Sequence, residues 1–282
     1  MVLESLFNPF AVKKKPWEMF IAGFVYAIVG LMLSYLVFKE SAGLLTVFLI
    51  VLATVPLLYT TINNEEELDF KFVKEISILK EHGKVIAFLT FFFLGVSLAL
   101  SLAYVFLPTG IVNTSFALQQ QAISNVNNNI SGNLTQLDIF TRIFANNLRV
   151  LFFSLIFAFL YGTGSIFILT WNASVVATAM GSLFKTELAK AASFVGFSGV
   201  SAYFGAASFS FLRYMTHGLL EMASYFVAGL AGGIISVALI KHNLKEDKVL
   251  IDALDLVLLS IAILFVAGLV EVYVTPRVMG LF

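Results

Sequence analysis

The chain has 282 residues, of which 60% are hydrophobic and only 12% are charged, and its formal net charge at pH 7 is zero. Soluble domains contain about 45–50% apolar and about 25% charged residues, and their interiors are too small to bury the apolar excess found here. The composition therefore excludes a soluble protein, and the balanced charge gives no indication of nucleic-acid binding. Cysteine is absent, which excludes disulfides, thiolate metal sites and thiol catalysis.

Long apolar runs predict membrane-spanning helices, because about 20 apolar residues in helical form cross the hydrocarbon core. Six runs have this length: 17–38, 44–61, 85–107, 147–171, 212–240 and 249–274. The segment 191–211 is less hydrophobic but uncharged, and its Gly, Ala and Ser content suits a helix packed among neighbours. We count it as a seventh span, with a re-entrant hairpin formed with 173–184 as the alternative. The fold predicted is an all-α transmembrane helix bundle of about seven spans.

Lysine placement predicts the orientation of these spans, because basic residues are retained on the cytoplasmic side. Lys13, Lys14 and Lys15 put the N-terminus inside. Seven spans then put the lysines of 71–84, 185–190 and 241–248 inside as well, and leave only Lys39 outside. The re-entrant alternative would move the lysines of 241–248 to the outer face. We therefore expect the N-terminus inside and the C-terminus outside.

The connection 63–83 predicts an amphipathic helix from about residue 65 to residue 82. It begins with asparagines and acids, which favour helix starts, and it ends at Gly83. One face carries the apolar residues Leu68, Phe72, Ile76 and Leu79. The helix either docks on the membrane surface or a partner, or is a solvated elbow between two spans.

The connection 108–141 is predicted to lie on the outer face and is rich in Gln, Asn, Ser and Thr. It contains three N-x-[ST] triplets, at Asn113, Asn129 and Asn133, which are acceptors for N-glycosylation. A loop of this composition also forms such triplets by chance. We favour glycosylation, and the outer placement agrees with the lysine count.

Acidic residues inside apolar runs are costly, so each one is informative. Glu18, Asp252, Asp255 and Glu271 lie near the ends of predicted spans, and we interpret all four as interfacial anchors.

Glu221 lies deeper, two to three turns inside the run that starts at Leu212. His217 precedes it by one helical turn on the same face, and Arg213 precedes His217 by another. A buried carboxylate needs a partner or water, so we expect His217 to donate to Glu221 and Arg213 to add charge. The cluster either responds to protons or ions, or locks helices together through hydrogen bonds.

Small residues recur every four positions along two of the predicted spans. Ser224, Ala228, Gly232 and Ser236 follow Glu221, and Ser154, Ala158 and Gly162 follow the pair Asn146-Asn147 in the same register. Such stripes let helices approach closely. We predict that the two helices pack in parallel through these stripes, with Asn146 or Asn147 level with His217 and close to Glu221.

These motifs together resemble the stage II sporulation protein M family. That family has an Asn-Asn pair opening a span, then G-x-G-[TS], then Asn-Gly, and later Pro-His-Gly-x-x-Glu entering another span. This chain has Asn146-Asn147, Gly162 and Gly164, and His217-Gly218-x-x-Glu221 in that order. It departs from the pattern at Ala173, where glycine is usual, and at Thr216, where proline is usual. The resemblance covers residues from about 140 to 282.

The resemblance implies a four-span core at 142–282. Residues 1–107 lie outside the resemblance and look like an added three-span module with its elbow at 63–84, and the outer loop 108–141 joins the module to the core. In spore formers the family's namesake is a membrane anchor that holds peptidoglycan-degrading partners and is not itself the hydrolase. In organisms that do not sporulate, the resemblance implies an envelope protein.

We therefore expect a non-enzymatic, multi-pass scaffold of the plasma membrane that recruits partners through its loops. The alternative is a small transporter or channel that uses His217, Glu221 and the paired asparagines. We expect no metal or cofactor, because the H-x-x-x-E pair supplies only two ligands. The expected partners are the lipid bilayer and other envelope proteins, with a second copy of the chain as a further option and no nucleic acid.

Overall fold

A computed structural model describes residues 16–71, 75–130, 135–161, 164–195, 199–240 and 247–280. Within these residues all regular structure is helical, as predicted. The helices are α1 (Glu18–Val37), α2 (Ala42–Lys71), α3 (Glu75–Phe106), α4 (Thr109–Ser115), α5 (Ala117–Ile130), α6 (Gln136–Tyr161), α7 (Ser165–Val195), α8 (Val200–Ile240), α9 (Asp247–Leu269) and α10 (Thr275–Met279). A 3₁₀ turn, Lys39–Ser41, precedes α2, and a π-helical turn, Val270–Val274, joins α9 to α10.

Seven helical segments of the described chain are long and apolar enough to cross a membrane. They are Glu18–Val37, Lys39–Pro56, Gly83–Phe106, Gln136–Leu160, Ser165–Ser193, Val200–Ile240 and Val249–Met279. The class of fold and the number of spans predicted from hydropathy are confirmed.

The second half of the chain is divided differently from our expectation. The run predicted as one span at 147–171 belongs to two helices, because α6 ends at Tyr161 and α7 begins at Ser165. The segment 191–211 is not a span of its own: it contains the end of α7 and the start of α8, a continuous helix of 41 residues. The re-entrant alternative is also wrong, since α7 runs through 173–184 without a break. Gly162 and Gly164 mark the division in the sequence, because glycine disfavours a helix interior.

The predicted elbow helix does not exist as a separate element. α2 continues through the asparagines at 63 and 64 to Lys71, and α3 begins at Glu75 and runs through Gly83. The capping signals were outweighed by the neighbouring Glu, Leu and Lys residues, which are strong helix formers. The side chains of the apolar face, Leu68, Phe72, Ile76 and Leu79, lie outside the described residues.

Lys185 lies at the end of the bundle opposite to the one we expected. Its ammonium group is 5.1 Å from the ring centroid of Tyr104, near the C-terminal end of α3. Lys84 lies near the start of the same span, and a helix from Lys84 to Tyr104 is about 30 Å long, the thickness of the hydrocarbon core. The lysine argument put both lysines inside. The lysine argument failed because it assumed different span boundaries. The span that carries Lys185 starts at Ser165, so that Lys185 lies at the far end of that span.

The packed centre of the bundle forms around α8. The side chains of Phe226, Ala228, Ala231 and Ile234 are no more than 1% exposed, and the ring of Phe226 meets that of Phe93 on α3 edge to face, with centroids 6.3 Å apart. Lipid provides no hydrophobic drive for helix association, so close van der Waals contact of this kind must provide it.

The connection 108–141 is largely helical and is partly docked into the bundle. Phe116, between α4 and α5, is buried against Tyr104, with ring centroids 5.3 Å apart. Gln119 on α5 is also buried, and its Nε2 donates to the carbonyl of Gly43 and to Oγ of Ser174, each at 3.2 Å. These contacts hold the N-terminal half of α5 across the end of the bundle where the site described next is found.

Candidate functional site

Two carboxyl groups meet between α8 and the π-helical turn. The carboxyl groups of Glu221 on α8 and Glu271 in the turn lie close enough to interact, and both side chains are partly buried. Two carboxylates in one partly buried site repel each other, which favours a single proton shared between them. On its other side Glu221 accepts a hydrogen bond of 2.5 Å at Oε1 from Nδ2 of Asn147 on α6. Three helical segments are therefore connected through Glu221.

His217 continues this polar chain on the side of the π-helical turn. Its Nδ1 lies 3.2 Å from Oγ1 of Thr275, and its Nε2 lies 3.8 Å from Oε1 of Glu271. The Thr275 hydroxyl donates to the carbonyl of Val270, five residues earlier. The π-helical turn and the residue that follows it thus place Glu271 and Thr275 against His217 of α8. Such turns are frequent at functional sites.

The structure brings Asn147 and Glu221 together but gives His217 other partners than those we expected. We predicted that His217 would contact Glu221 and an asparagine of the neighbouring helix, whereas it contacts Thr275 and Glu271. Asn146 is exposed, and its Nδ2 donates to Oδ1 of Asn147 at 3.4 Å.

Sequence reasoning missed Glu271, which we interpreted as an interfacial anchor. It lies instead against Glu221, because the helix extends beyond the predicted span end at 274 and the π turn directs residue 271 inward. The available signal was a second acid near the end of an apolar run, at the same side of the membrane as the H-x-x-x-E pair.

Two cavities flank the carboxyl pair, and Glu221 and Glu271 line both of them. The smaller cavity, of about 340 Å³, is lined on the α6 side by Arg142, Asn146 and Arg149. The larger cavity, of about 740 Å³, is lined by Arg213 and His217. Residue Val126 of α5 lines both cavities. Arg213 thus belongs to the larger cavity. Both carboxyl groups are therefore accessible from the two cavities.

The two small-residue stripes pack against each other on parallel helices, as predicted, but one turn out of the predicted register: Asn147 is level with Glu221 and not with His217. A Cβ added at Gly232 would lie 2.5 Å from the carbonyl oxygen of Leu155 and 2.8 Å from Cβ of Ala158. Nearer the carboxyl pair, Oγ of Ser154 donates to the carbonyl of Tyr225 at 3.4 Å. Only glycine permits this approach at position 232, because any side chain would meet the backbone of α6.

The remaining members of the stripes are placed as follows. Ser154, Ser224 and Ala228 are fully buried, and the Oγ of Ser224 has no hydrogen-bond partner. Gly162 lies outside the described residues. The part of the chain that the structure describes contains no group of three or more His, Asp or Glu side chains arranged to hold a metal ion.

Of the three sequons, only the first has a described side chain. Asn113 is exposed on α4, while Ser115, the third residue of its triplet, is buried. The side chain of Asn129 and the whole of Asn133 lie outside the described residues.

The family model of stage II sporulation protein M matches residues 84–276 of the chain. The match covers more than half of the chain, and it includes the third span and the 108–141 connection as well as the motifs around Asn147 and Glu221. The chain therefore belongs to the stage II sporulation protein M family of membrane proteins. No curated protein and no solved structure matches it.

Proposed function

We propose that this protein is a non-enzymatic scaffold of the cell envelope, resident in the plasma membrane, which holds partner proteins at the end of the bundle that carries Tyr104. The observation that supports the proposal is the order of layers along α8. The polar cluster around Glu221 is followed, one turn deeper, by the tightly packed layer of Tyr225, Phe226, Val227 and Ala228, each no more than 2% exposed.

A scaffold needs rigidity across the membrane, and the polar cluster provides it. Asn147, Glu221 and Glu271 come from three different helical segments: Asn147 donates a hydrogen bond to Glu221, and Glu271 lies against Glu221. Polar side chains surrounded by lipid and protein stabilise helix association, because their alternative is to lose their partners in an apolar medium. The cluster thus fixes α6, α8 and the π-helical turn relative to one another.

The same end of the bundle offers an apolar surface for partners. The first residues of α8 precede the polar cluster, and Val200 and Phe204 there are 88% and 75% exposed. Exposed apolar side chains at this end of the helix are suited to contact a partner protein. The tip formed by the end of α7 and the start of α8, together with α4 and α5, is the surface that we expect partners to contact.

Site-specific crosslinking tests the proposal. A photoreactive amino acid at Phe204 or at Asn113 should yield discrete crosslinked proteins in cells, whereas the same group at Leu258, which is exposed on α9 within the span, should crosslink lipid. Identification of the attached proteins by mass spectrometry completes the experiment. If positions 204 and 113 give no more protein adducts than position 258, the scaffold proposal is wrong.

A transporter or channel is the second candidate, and the two cavities that meet at the Glu221–Glu271 pair favour it. Ionisable side chains that line cavities within a spanning region mark pathways for protons or solutes. In proteoliposomes, this function predicts a pH-dependent flux that Glu221→Gln abolishes, because an amide cannot release a proton. The absence of such a flux in the wild-type protein would contradict the transporter function.

A further inference from the structure

The smaller cavity beside the carboxyl pair has a wall with a definite chemistry. Arg142, Asn146 and Arg149 line it from α6. Their spacing of four and then three residues places them on one face of the helix, and all three are exposed. The cavity therefore presents two guanidinium groups and an amide to a molecule that enters it.

The balance of charge around this cavity favours an anion. A proton shared between the two adjacent carboxyl groups leaves Glu221 and Glu271 with one negative charge, and Asp138, which interacts with Arg142, adds a second. Arg142 and Arg149 carry two positive charges. Arg213 adds a further positive charge from the adjoining cavity. Arginine binds phosphate through paired N–H donors in a fixed geometry, and the amide of Asn146 offers an additional donor.

The surroundings of the cavity allow a lipid to reach it. Arg142 and Arg149 lie within the spanning segment Gln136–Leu160, and one turn beyond Arg149 the side chains of Phe152 and Phe153 are 55% and 51% exposed. Exposed apolar residues of a spanning helix contact lipid, and the long side chain of an arginine within a span extends its guanidinium group toward the headgroups. A phosphate held by the arginines would leave its acyl chains beside Phe152 and Phe153.

We propose that Arg142, Asn146 and Arg149 form a binding site for a phosphate ester, supplied either by the headgroup of an anionic phospholipid or by a soluble phosphate ester. The site accepts the phosphate between the two guanidinium groups, on the side of Asn147 away from the polar chain to Thr275. Its existence does not depend on the scaffold role.

Binding measurements with the full-length protein in an uncharged detergent test the site. The probes are phosphatidylglycerol, diacylglycerol (which lacks the phosphate) and glycerol 3-phosphate (which lacks the acyl chains), and native mass spectrometry gives the dissociation constants. We expect Arg149→Gln and Arg142→Gln each to weaken phosphatidylglycerol binding about tenfold, the loss of one charge-assisted contact. Arg277→Gln is the matched control, since Arg277 is an exposed arginine on α10, and it should bind as the wild type does.

The probes also identify the source of the phosphate. Binding of phosphatidylglycerol with little binding of glycerol 3-phosphate identifies a lipid headgroup, whereas tight, Arg149-dependent binding of glycerol 3-phosphate identifies a soluble ester. A cooperative thermal unfolding transition shows that each variant is folded. If Arg149→Gln does not fold, the binding of Arg142→Gln tests the site in its place. Equal binding of diacylglycerol, or an equal loss in Arg277→Gln, would overturn the proposal.

Discussion

Asn147 on α6 donates a hydrogen bond to Glu221 on α8, although the two residues are 74 positions apart in the chain. The contact is possible because the two helices run in parallel and approach closely at Gly232, where a Cβ would overlap the backbone of α6. Close packing deep in the span and hydrogen bonding near its end are thus parts of one helix–helix contact, and they can be tested separately.

Replacing Asn147 by leucine should destabilise the protein by about 1–3 kcal/mol, because the Glu221 carboxyl then loses a donor in a partly buried position. The midpoint of thermal unfolding in detergent measures the effect. Asn146→Leu is the matched control: its side chain is exposed, so its unfolding midpoint should stay close to that of the wild type. Equal midpoints for the two variants would contradict the role assigned to Asn147.

Glu221→Gln should leave the fold intact. The amide oxygen of the new side chain can accept from Asn147, and its NH₂ group can donate to Glu271, so that both hydrogen bonds persist. We expect the same unfolding midpoint as the wild type within a few degrees. Glu221→Leu removes both hydrogen bonds and should lower the midpoint clearly; a large loss already in Glu221→Gln would show that the negative charge itself is required.

Replacing Gly232 by leucine should force α6 and α8 apart, at a cost of about 1–3 kcal/mol by analogy with overpacked cores. Gly218 provides the control on the same helix, because a Cβ added there meets no atom within 4 Å. Gly218→Ala should be neutral or stabilising, since alanine favours a helix by about 1 kcal/mol over glycine. Thermal unfolding of both variants decides the matter; a tolerated leucine at 232 would disprove the close approach.

The shared proton of Glu221 and Glu271 should be visible by infrared spectroscopy. A protonated carboxyl group has a C=O stretching band distinct from those of carboxylate and amide, and the band shifts when H₂O is exchanged for D₂O. We expect this band in the wild type and its loss in both Glu221→Gln and Glu271→Gln, because either change removes one half of the pair. A band that survives in both variants would have to come from another residue.

Cysteine labelling in intact cells should place residues 113 and 190 on the same side of the membrane and residue 84 on the other. Lys190 is exposed on α7 beyond Lys185, and Lys185 lies over Tyr104 at the far end of α3 from Lys84. The chain has no native cysteine, so single introduced cysteines react without background. Labelling of positions 84 and 190 from one side would restore the orientation expected from the lysine count.

Sequence alone predicted the class of fold and the number of spans, because hydropathy shows which segments of the chain can lie in lipid. It did not predict where the spans begin and end between Asn147 and Ile240. The break between α6 and α7 is marked in the sequence only by Gly162 and Gly164, and the small, uncharged residues that end α7 and begin α8 have the same composition as a packed span.

The candidate site was predicted in part for a similar reason. The two stripes correctly placed Asn147 on a helix that runs parallel to that of Glu221, but they put Asn147 level with His217, one turn away from the Glu221 that it contacts. Glu271 was missed because its inward direction depends on the π-helical turn, and local sequence does not reveal that extra residue in the helix. The contact between His217 and Thr275 was not predicted for the same reason, because Thr275 belongs to the segment that follows this turn.

α8 is a continuous helix of 41 residues, and its length of about 60 Å is twice the thickness of the hydrocarbon core. A helix is stiff over this distance, so its two halves move as one rod. A force applied to the exposed end near Phe204 would therefore tilt or rotate α8 as a whole, including Glu221, which Asn147 and Glu271 contact. The close contact of Gly232 with α6 and the hydrogen bond between Glu221 and Asn147 are the two points at which α8 is held against such a movement.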